Sequence, residues 1–561
     1  MRFLPLSLCC SVFAGLSFST VADLDPVVRD PVTGDFEIIN NTPFNSSGLT
    51  MDVRRFAGPF PDDDFNGGRR PRLNAMSFAP GVEGLFVVSA GAAFDATADG
   101  KVLHVSPDGS TISEVLNVAD FYTLPKDGDV FWQQGGLRSV TFHPEFSTPG
   151  TRGYGKLYTS QTVARPDDIS SLNYVGPALP PLGGQDGNNP NPDRHDGSIV
   201  EWEATFNPNG SIVSINSPRE LYRVATPTGN HPIKEAAFNP HAQPGDEDYG
   251  LLYVLHPDGI NTSRNETGTG QNADDALGKI FRIDPLENGS SPYSIPSTNP
   301  FVGNDGQAPG GGNLFDEVYA IGFRDQHTIS FANNENGADH ILVSDIGSRF
   351  IEEINLIEKG GNYGWNEREG TFAVDLPLIG GGEDSLLDLP DGDDGYIYPV
   401  AQFGRRGSSA AVAGGYTVQN GSELDGYYFF MDFVRSSSPM LTVSLEDLVN
   451  AVTAGDNGDL APAEVLTVNL LFDHDDDPLT PSIPKSHFKD ILDDEASYDG
   501  SGRTDIRFGQ GPDGELYLLN KRNGYIYLVT NSVAPVPEPT SLALMGIGVA
   551  ALFSRRCRRD E

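Results

Sequence analysis

Residues 316–370 read DEVYAIGFRDQHTISFANNENGADHILVSDIGSRFIEEINLIEKGGNYGWNEREG. One apolar run leads into Gly322-Phe323-Arg324, and a second leads into Ser344-Asp345-Ile346-Gly347. Glu353-Ile354-Asn355 follows, and then Lys359-Gly360-Gly361-Asn362-Tyr363-Gly364-Trp365. Short runs of Val, Ile, Tyr and Phe bounded by Gly, Asn and Asp read as strands joined by turns.

The rest of the chain repeats that grammar. It has 64 glycines and 42 prolines, and long amphipathic helical patterns are scarce. A Phe-x-Pro-like turn before an apolar strand recurs. Phe78-Ala79-Pro80 precedes Leu85–Val88, Phe142-His143-Pro144 precedes Lys156–Tyr158, and Phe238-Asn239-Pro240 precedes Leu251–Val254. Looser copies are Phe331-Ala332-Asn333 before Ile341–Val343 and Phe508-Gly509-Gln510 before Leu516–Leu518. Tyr427–Phe433 supplies a related strand, which makes six units. Six units predict an all-β fold, a six-bladed β-propeller of four-stranded antiparallel blades. The units are spaced more widely than a bare blade of about 40–50 residues, so long loops are inserted, as at 161–195 and 372–395. The predicted divisions are a leader at 1–22, an N-terminal extension at 23–70 that pairs with the first or last blade, the propeller at 71–530, and a linker with a terminal signal at 531–561.

Both ends carry targeting patterns. Arg2, an apolar run and small residues near Ala22 read as a secretory signal peptide cut after Ala22. Near the other end, Pro537-Glu538-Pro539 precedes an apolar run from Leu542 to Phe553 and then Arg555, Arg556, Arg558 and Arg559. That run is short of the roughly 20 residues that span a bilayer comfortably. The order resembles the bacterial PEP-type C-terminal sorting signal, which exosortase machinery recognises. The resemblance implies export, transient membrane anchoring and residence in the envelope, or outside the cell, of a Gram-negative-type bacterium. The only cysteines are Cys9, Cys10 and Cys557, so removal of both ends leaves no disulfide and no thiolate nucleophile.

The formal net charge is −41, from 37 basic and 78 acidic residues. Such a surface repels nucleic acid and anionic membranes. The acidic runs Asp62-Asp63-Asp64, Asp473-His474-Asp475-Asp476-Asp477 and Asp493-Asp494-Glu495 lack the spacing of an EF-hand loop and read as solvated loops. No Gly-x-Ser-x-Gly elbow and no His/Glu zinc motif appears.

The 316–370 segment resembles the signature of the glucose/sorbosone dehydrogenase family. Those proteins are six-bladed propellers, and some oxidise sugars with pyrroloquinoline quinone (PQQ). By that resemblance three places surround a cofactor pocket. In Gln133-Gln134-Gly135-Gly136-Leu137, Gln134 matches a quinone contact. In Asn230-His231-Pro232-Ile233-Lys234, His231 matches the general base, a role suited to a side chain whose ordinary pKa is about 6.5. In Gly322-Phe323-Arg324-Asp325, Arg324 matches the arginine on the quinone oxygens, and Asp325 takes the cofactor-contacting position beside it. Gly347 and Ser348 fall where backbone carbonyls hold calcium, and Asp345 would orient that loop. The implied cofactors are PQQ and calcium, and the implied substrate is a sugar or polysaccharide. His143 and His195 read as structural, the one in its turn and the other at the start of a strand.

Departures from the pattern are specific. Ile233-Lys234 replaces a glycine pair, Asp325-Gln326 replaces Asn-Pro, and His256-Pro257-Asp258-Gly259 replaces Gly-Asp-Gly-Gly. For later cationic contacts Arg405 and Arg406 are the candidates. Two readings stay open: a PQQ-dependent sugar dehydrogenase, and a non-catalytic surface propeller that binds extracellular polysaccharide or envelope proteins. A lysine at 234 that fills the central funnel favours the second.

Overall fold

The computed structural model describes residues 27–29, 36–38, 44–60, 72–90, 100–124, 134–178, 195–228, 230–260, 269–303, 313–334, 336–348, 350–375, 385–387, 395–405, 410–454, 460–476, 480–495 and 503–531. The leader, the cysteines, Asp62-Asp63-Asp64, Arg406, Asp477 and the terminal signal lie outside the described residues.

Four separate sheets of four strands follow one another as antiparallel meanders. The first comprises Leu73–Ser77, Leu85–Ser89, Lys101–Val105 and Ile112–Asn117. The second comprises Leu137–Phe142, Lys156–Ala164, His195–Phe206 and Ile212–Ala225. The third comprises Ala236–Phe238, Leu252–His256, Lys279–Ile283 and Val318–Ile321. The fourth comprises Gln326–Asn333, Asp339–Asp345, Ile351–Leu356 and Ala401–Gly404. Antiparallel hairpins suit these sequences because each turn supplies the Gly, Asn or Asp that reverses the chain.

The remaining strands form a nine-stranded sheet rather than two separate blades. One half is Val412–Thr417, Tyr427–Asp432, Leu441–Ser444 and Leu466–Asp473, with Ile483–Lys485 on its flank. The other half is Ile506–Gln510, Leu516–Asn520, Ile526–Asn531 and the N-terminal strand Asn45–Ala57. Asn45–Ala57 joins the halves, pairing antiparallel with Ile526–Asn531 and parallel with Leu466–Asp473. The expectation of six separate sheets is therefore corrected to four separate sheets and one fused one. The physical reason is that an N-terminal strand with two free edges finds a partner on each. A small sheet of Arg368–Glu369, Phe372–Asp375, Ser385–Leu387, Val27–Arg29 and Phe36–Ile38 lies outside this series.

The first strand of each four-strand group touches the first strand of the next, and Ile506–Gln510 touches Leu73–Ser77, so the series closes on itself. These inner strands are buried on both faces; Leu137–Phe142 is buried throughout and Gln326–Asn333 nearly so. Tyr427–Asp432, a second strand, is likewise buried at all but its first residue, which fits its near-continuous apolar run. The architecture is all-β and propeller-like. His143 sits in its Phe-x-Pro turn, where Nδ1 accepts from the Glu145 amide at 3.1 Å, and burial brings its pKa down to about 4. His195 begins the strand His195–Phe206.

Candidate active site

One end of the inner strands collects the chemistry. Gln134 precedes Leu137–Phe142, His231 and Lys234 precede Ala236–Phe238, and Arg324 and Asp325 precede Gln326–Asn333. Asp258 and Ile346-Gly347 leave the second strands of the third and fourth sheets at the same end. The loop turns at Gly322, which has φ +87°, and a Cβ there would stand 2.4 Å from Asn362 Oδ1 and 2.7 Å from Gly364 N. The Gly-Phe-Arg motif and the Gly-Gly-Asn-Tyr-Gly-Trp motif thus lie against each other, and only glycine fits between them.

His231 is 4% exposed and has φ +45°, a left-handed conformation rare outside glycine. Its Nδ1 lies 2.7 Å from Asp258 Oδ1. Asp258 is fully buried, accepts from Trp365 Nε1 at 3.1 Å on its other oxygen, and donates its backbone N–H to Arg324 O at 2.7 Å. His231 Nε2 lies 3.6 Å from Asp325 Oδ2, beyond hydrogen-bond range. The imidazole therefore has one nitrogen held and the other beyond hydrogen-bond range of its neighbouring carboxylate. That geometry can accept a proton and stabilise the imidazolium that results.

Lys234 is buried inside this cluster. Its Nζ lies 2.9 Å from Asp325 Oδ1 and donates to Gln134 Oε1 at 2.6 Å. Burial lowers its pKa to about 8 against the pull of Asp325. Burial pushes Asp325 up, but His231, Lys234 and Arg324 together outweigh it and hold the carboxyl at about 2. Lys234, Arg324 and Asp325 thus form a charged, mutually compensating group.

Arg324 is 6% exposed and stacks over Trp365 at 5.5 Å. Its Nη1 donates to Ile346 O at 2.9 Å and to Gly347 O at 2.6 Å, while its buried Nε has no partner. Asp345 accepts from the backbone N–H of Arg324 at 2.9 Å and of Asp325 at 2.7 Å, which fixes their loop. Arg405 donates to Ser348 O at 2.9 Å and to Gly347 O at 2.6 Å. The Gly347 carbonyl therefore meets two guanidinium groups, and both of its lone pairs are engaged.

Three further cations stand nearby that the sequence did not reveal. Arg138, Arg507 and Lys521 share a field with Lys234. Burial first, and then Arg507, Lys234, Lys521 and Arg138, drive the pKa of His327 well down. Burial brings Arg507 to about 9 against Asp505, still protonated at neutral pH. Its guanidinium lies over Phe433 at 4.2 Å, and its buried Nε has no partner. Lys521 donates to Asn74 Oδ1. Arg138 and Arg507 lie on strands of different sheets and Lys521 directly follows the strand Leu516–Asn520, so no short sequence motif joins them. Asp258 carried only a weak signal: it is the acidic residue of the run that replaces Gly-Asp-Gly-Gly, but it stands one position after the motif's aspartate.

The described residues of the acidic runs at 473–477 and 493–495 meet cations of the chain. Arg55 donates to His474 O, Asp476 and Glu495, and Lys485 and Lys489 pair with Asp494 and Asp493. Among the described residues no group of three or more His, Cys, Asp or Glu could hold a metal. A separate cavity of about 490 Å³ opens at the opposite ends of the inner strands, lined by Phe142, Phe238, Phe331 and Glu235.

The comparisons with known proteins agree with the motif reading. Residues 233–374 match the glucose/sorbosone dehydrogenase family. This match begins just after His231 and does not include it. Residues 535–559 match the PEP-CTERM protein-sorting motif. The chain is 28% identical to the HIPL2 protein of Arabidopsis thaliana over 57% of its own length and 45% of that protein. It is 24% identical to quinoprotein glucose dehydrogenase B of Acinetobacter calcoaceticus over 48% of its own length and 46% of that protein. The chain thus spans less than half the length of these curated relatives. The apo-form of the soluble aldose sugar dehydrogenase of Escherichia coli aligns at 18% identity with a TM-score of 0.49, covering 86% of this chain and 99% of that one. Among the described residues no helix is long and apolar enough to cross a membrane.

Proposed function

We propose that the chain is a six-bladed propeller of the cell envelope that oxidises a sugar hydroxyl, with PQQ as hydride acceptor. The two halves of the nine-stranded sheet count as the fifth and sixth blades. Their first strands, Val412–Thr417 and Ile506–Gln510, occupy the inner ring like those of the four separate sheets. The PEP-CTERM motif supports export and sorting.

The observation that carries the reading is His231, held at Nδ1 by Asp258 with Nε2 left beyond hydrogen-bond range of Asp325. The surroundings fit a flat polyanion. Arg138, Arg507 and Lys521 supply charge, and Arg324 and Arg507 each keep a buried Nε without a partner. PQQ carries carboxylates, which such donors bind strongly. When bound, PQQ would supply the two-electron chemistry. Gln134, with Oε1 taken by Lys234, would meet it through the amide nitrogen.

His231 Nε2 takes the proton of the substrate hydroxyl as hydride leaves the same carbon. Asp258 keeps the ring oriented through Nδ1–H, and Trp365 holds Asp258 in place. Asp325, 3.6 Å from Nε2, stabilises the imidazolium. The test is dye-linked aldose oxidation by the purified chain after addition of PQQ. Activity that survives unchanged in His231→Ala would overturn the role of His231.

One observation favours the second reading, a non-catalytic surface propeller that binds polysaccharide. Lys234 lies inside the cluster, bridging Gln134 and Asp325 where the family pattern has glycine. Polysaccharide binding retained in a His231→Ala/Arg324→Ala protein, with no PQQ binding by wild type, would establish that reading instead.

A further inference from the structure

The Gly347 and Ser348 carbonyls are the positions that resemblance assigns to calcium, and the donors around them are cationic. Gly347 O accepts from Arg324 Nη1 at 2.6 Å and from Arg405 Nη2 at 2.6 Å. Ser348 O accepts from Arg405 Nη1 at 2.9 Å. A carbonyl oxygen has two lone pairs, so Gly347 has none left for a metal. A calcium ion needs six to eight oxygen ligands, and here it would stand between two guanidinium charges.

Arg405 is held in this position from several directions. Its backbone N–H donates to Phe350 O at 2.7 Å, directly after the pairing of Ile351 with Gly404. Its Nε donates to Glu352 Oε1 at 2.6 Å, and Glu352 is fully buried. The other Glu352 oxygen accepts from the Val412 N–H at 2.7 Å. The Glu352 carboxylate is thus spent on the arginine, and the arginine on the carbonyls.

We propose that Arg405 replaces the divalent cation: its guanidinium is the built-in positive charge at the Gly347–Ser348 carbonyls, and this site takes no calcium. The inference deepens the cofactor reading above, which it takes as its frame, yet its test needs no quinone. A side chain would thus supply the fixed positive charge that the resemblance assigns to an ion. An arginine suits that task because it is planar, always charged and able to satisfy two adjacent carbonyls at once.

The experiment is a titration of the purified chain with Tb³⁺, a luminescent stand-in for Ca²⁺, excited through tryptophan. Trp365 lies 5.5 Å from Arg324, so an ion at these carbonyls would be sensitised by it. Emission that disappears in Trp365→Phe and is competed by Ca²⁺ reports this site and not the acidic surface. Wild type and Arg405→Lys are expected to show no such emission. Arg405→Leu, which frees Glu352 Oε1, the Ser348 carbonyl and one lone pair of the Gly347 carbonyl, is expected to bind Tb³⁺ at least about tenfold more tightly than wild type. Because the leucine leaves a buried carboxylate unpaired, Arg405→Gln is measured beside it, with circular dichroism as the check of folding. Trp365-dependent, Ca²⁺-competed emission from wild type overturns the proposal. So does the absence of any gain in both neutral variants when folded. Failure of PQQ to bind would count against the oxidoreductase reading and leave this result untouched.

Discussion

His231 and Asp258 are joined through Nδ1 and Oδ1 at 2.7 Å, although the two residues leave different strands of the third sheet. The bond decides which nitrogen of His231 faces the reactant. A neutral imidazole that donates from Nδ1 must accept at Nε2, so the carboxylate sets the base as well as its orientation. Asp258→Asn keeps the shape but removes that control. Its kcat is expected to fall by about 10²–10⁴-fold with PQQ affinity nearly unchanged. Steady-state kinetics beside calorimetric PQQ binding checks this, and a kcat within a factor of two of wild type would refute it.

The Gly322 turn gives a stability prediction. Its φ of +87° and the approach of Asn362 Oδ1 and Gly364 N leave no room for a side chain. Gly322→Ala is expected to cost at least about 1–3 kcal/mol from backbone strain alone. It also displaces Trp365 from Asp258, so thermal stability and activity should fall together. Loss of one without the other would separate the turn from the site.

Much of the fold and of the site is legible in the sequence because both kinds of signal are local. Tyr427–Asp432, the Phe-x-Pro turns and the Gly-Gly-Asn-Tyr-Gly-Trp run each carry their own strand or turn chemistry. The placement of His231, Arg324 and Asp325 follows from motifs for the same reason. Lys234 is different: its burial depends on Gln134 and Asp325, which arrive from two other sheets. Arg507 and Lys521 belong to one hairpin and Arg138 to another sheet, and only closure of the ring makes them a set. The pairing of Asn45–Ala57 with Ile526–Asn531 is legible only as a choice between first and last blade, because parallel and antiparallel partners for an extended strand look alike in sequence.

His256 gives a pH prediction. It is 1% exposed and bonded to Tyr222 at 3.0 Å, and burial, with Lys279 adding to it, lowers its pKa to about 3. The unfolded chain binds a proton here below its ordinary pKa of about 6.5, and the folded chain does not. Its contribution to stability is therefore full above about pH 6.5 and is lost as pH falls toward 3, by about 1.4 kcal/mol per pH unit. His256→Gln removes this one titration. The stability difference between wild type and variant should shift against wild type by that slope between pH 6 and 4, measured by denaturant unfolding. A difference that stays flat across the window would show that His256 titrates alike in both states.

The N-terminal strand tests what closes the ring. Met51 and Val53 are fully buried, with Met51 paired to Asn531 on one side and to Leu470 on the other. Without Asn45–Ala57 the edges of Ile526–Asn531 and Leu466–Asp473 would both be bare, and bare edges invite pairing with other copies. Met51→Ala is expected to cost about 2–5 kcal/mol, the usual range for a buried methionine cut back to alanine, and to leave a folded monomer. A chain that begins after Ala57 is expected to aggregate, because removing a shared strand exposes two edges at once. Light scattering and thermal melts of the two proteins decide the point. A truncated chain that stays monomeric and melts with wild type would mean that the two halves of the nine-stranded sheet stand as separate blades, and that the N-terminal strand only decorates them.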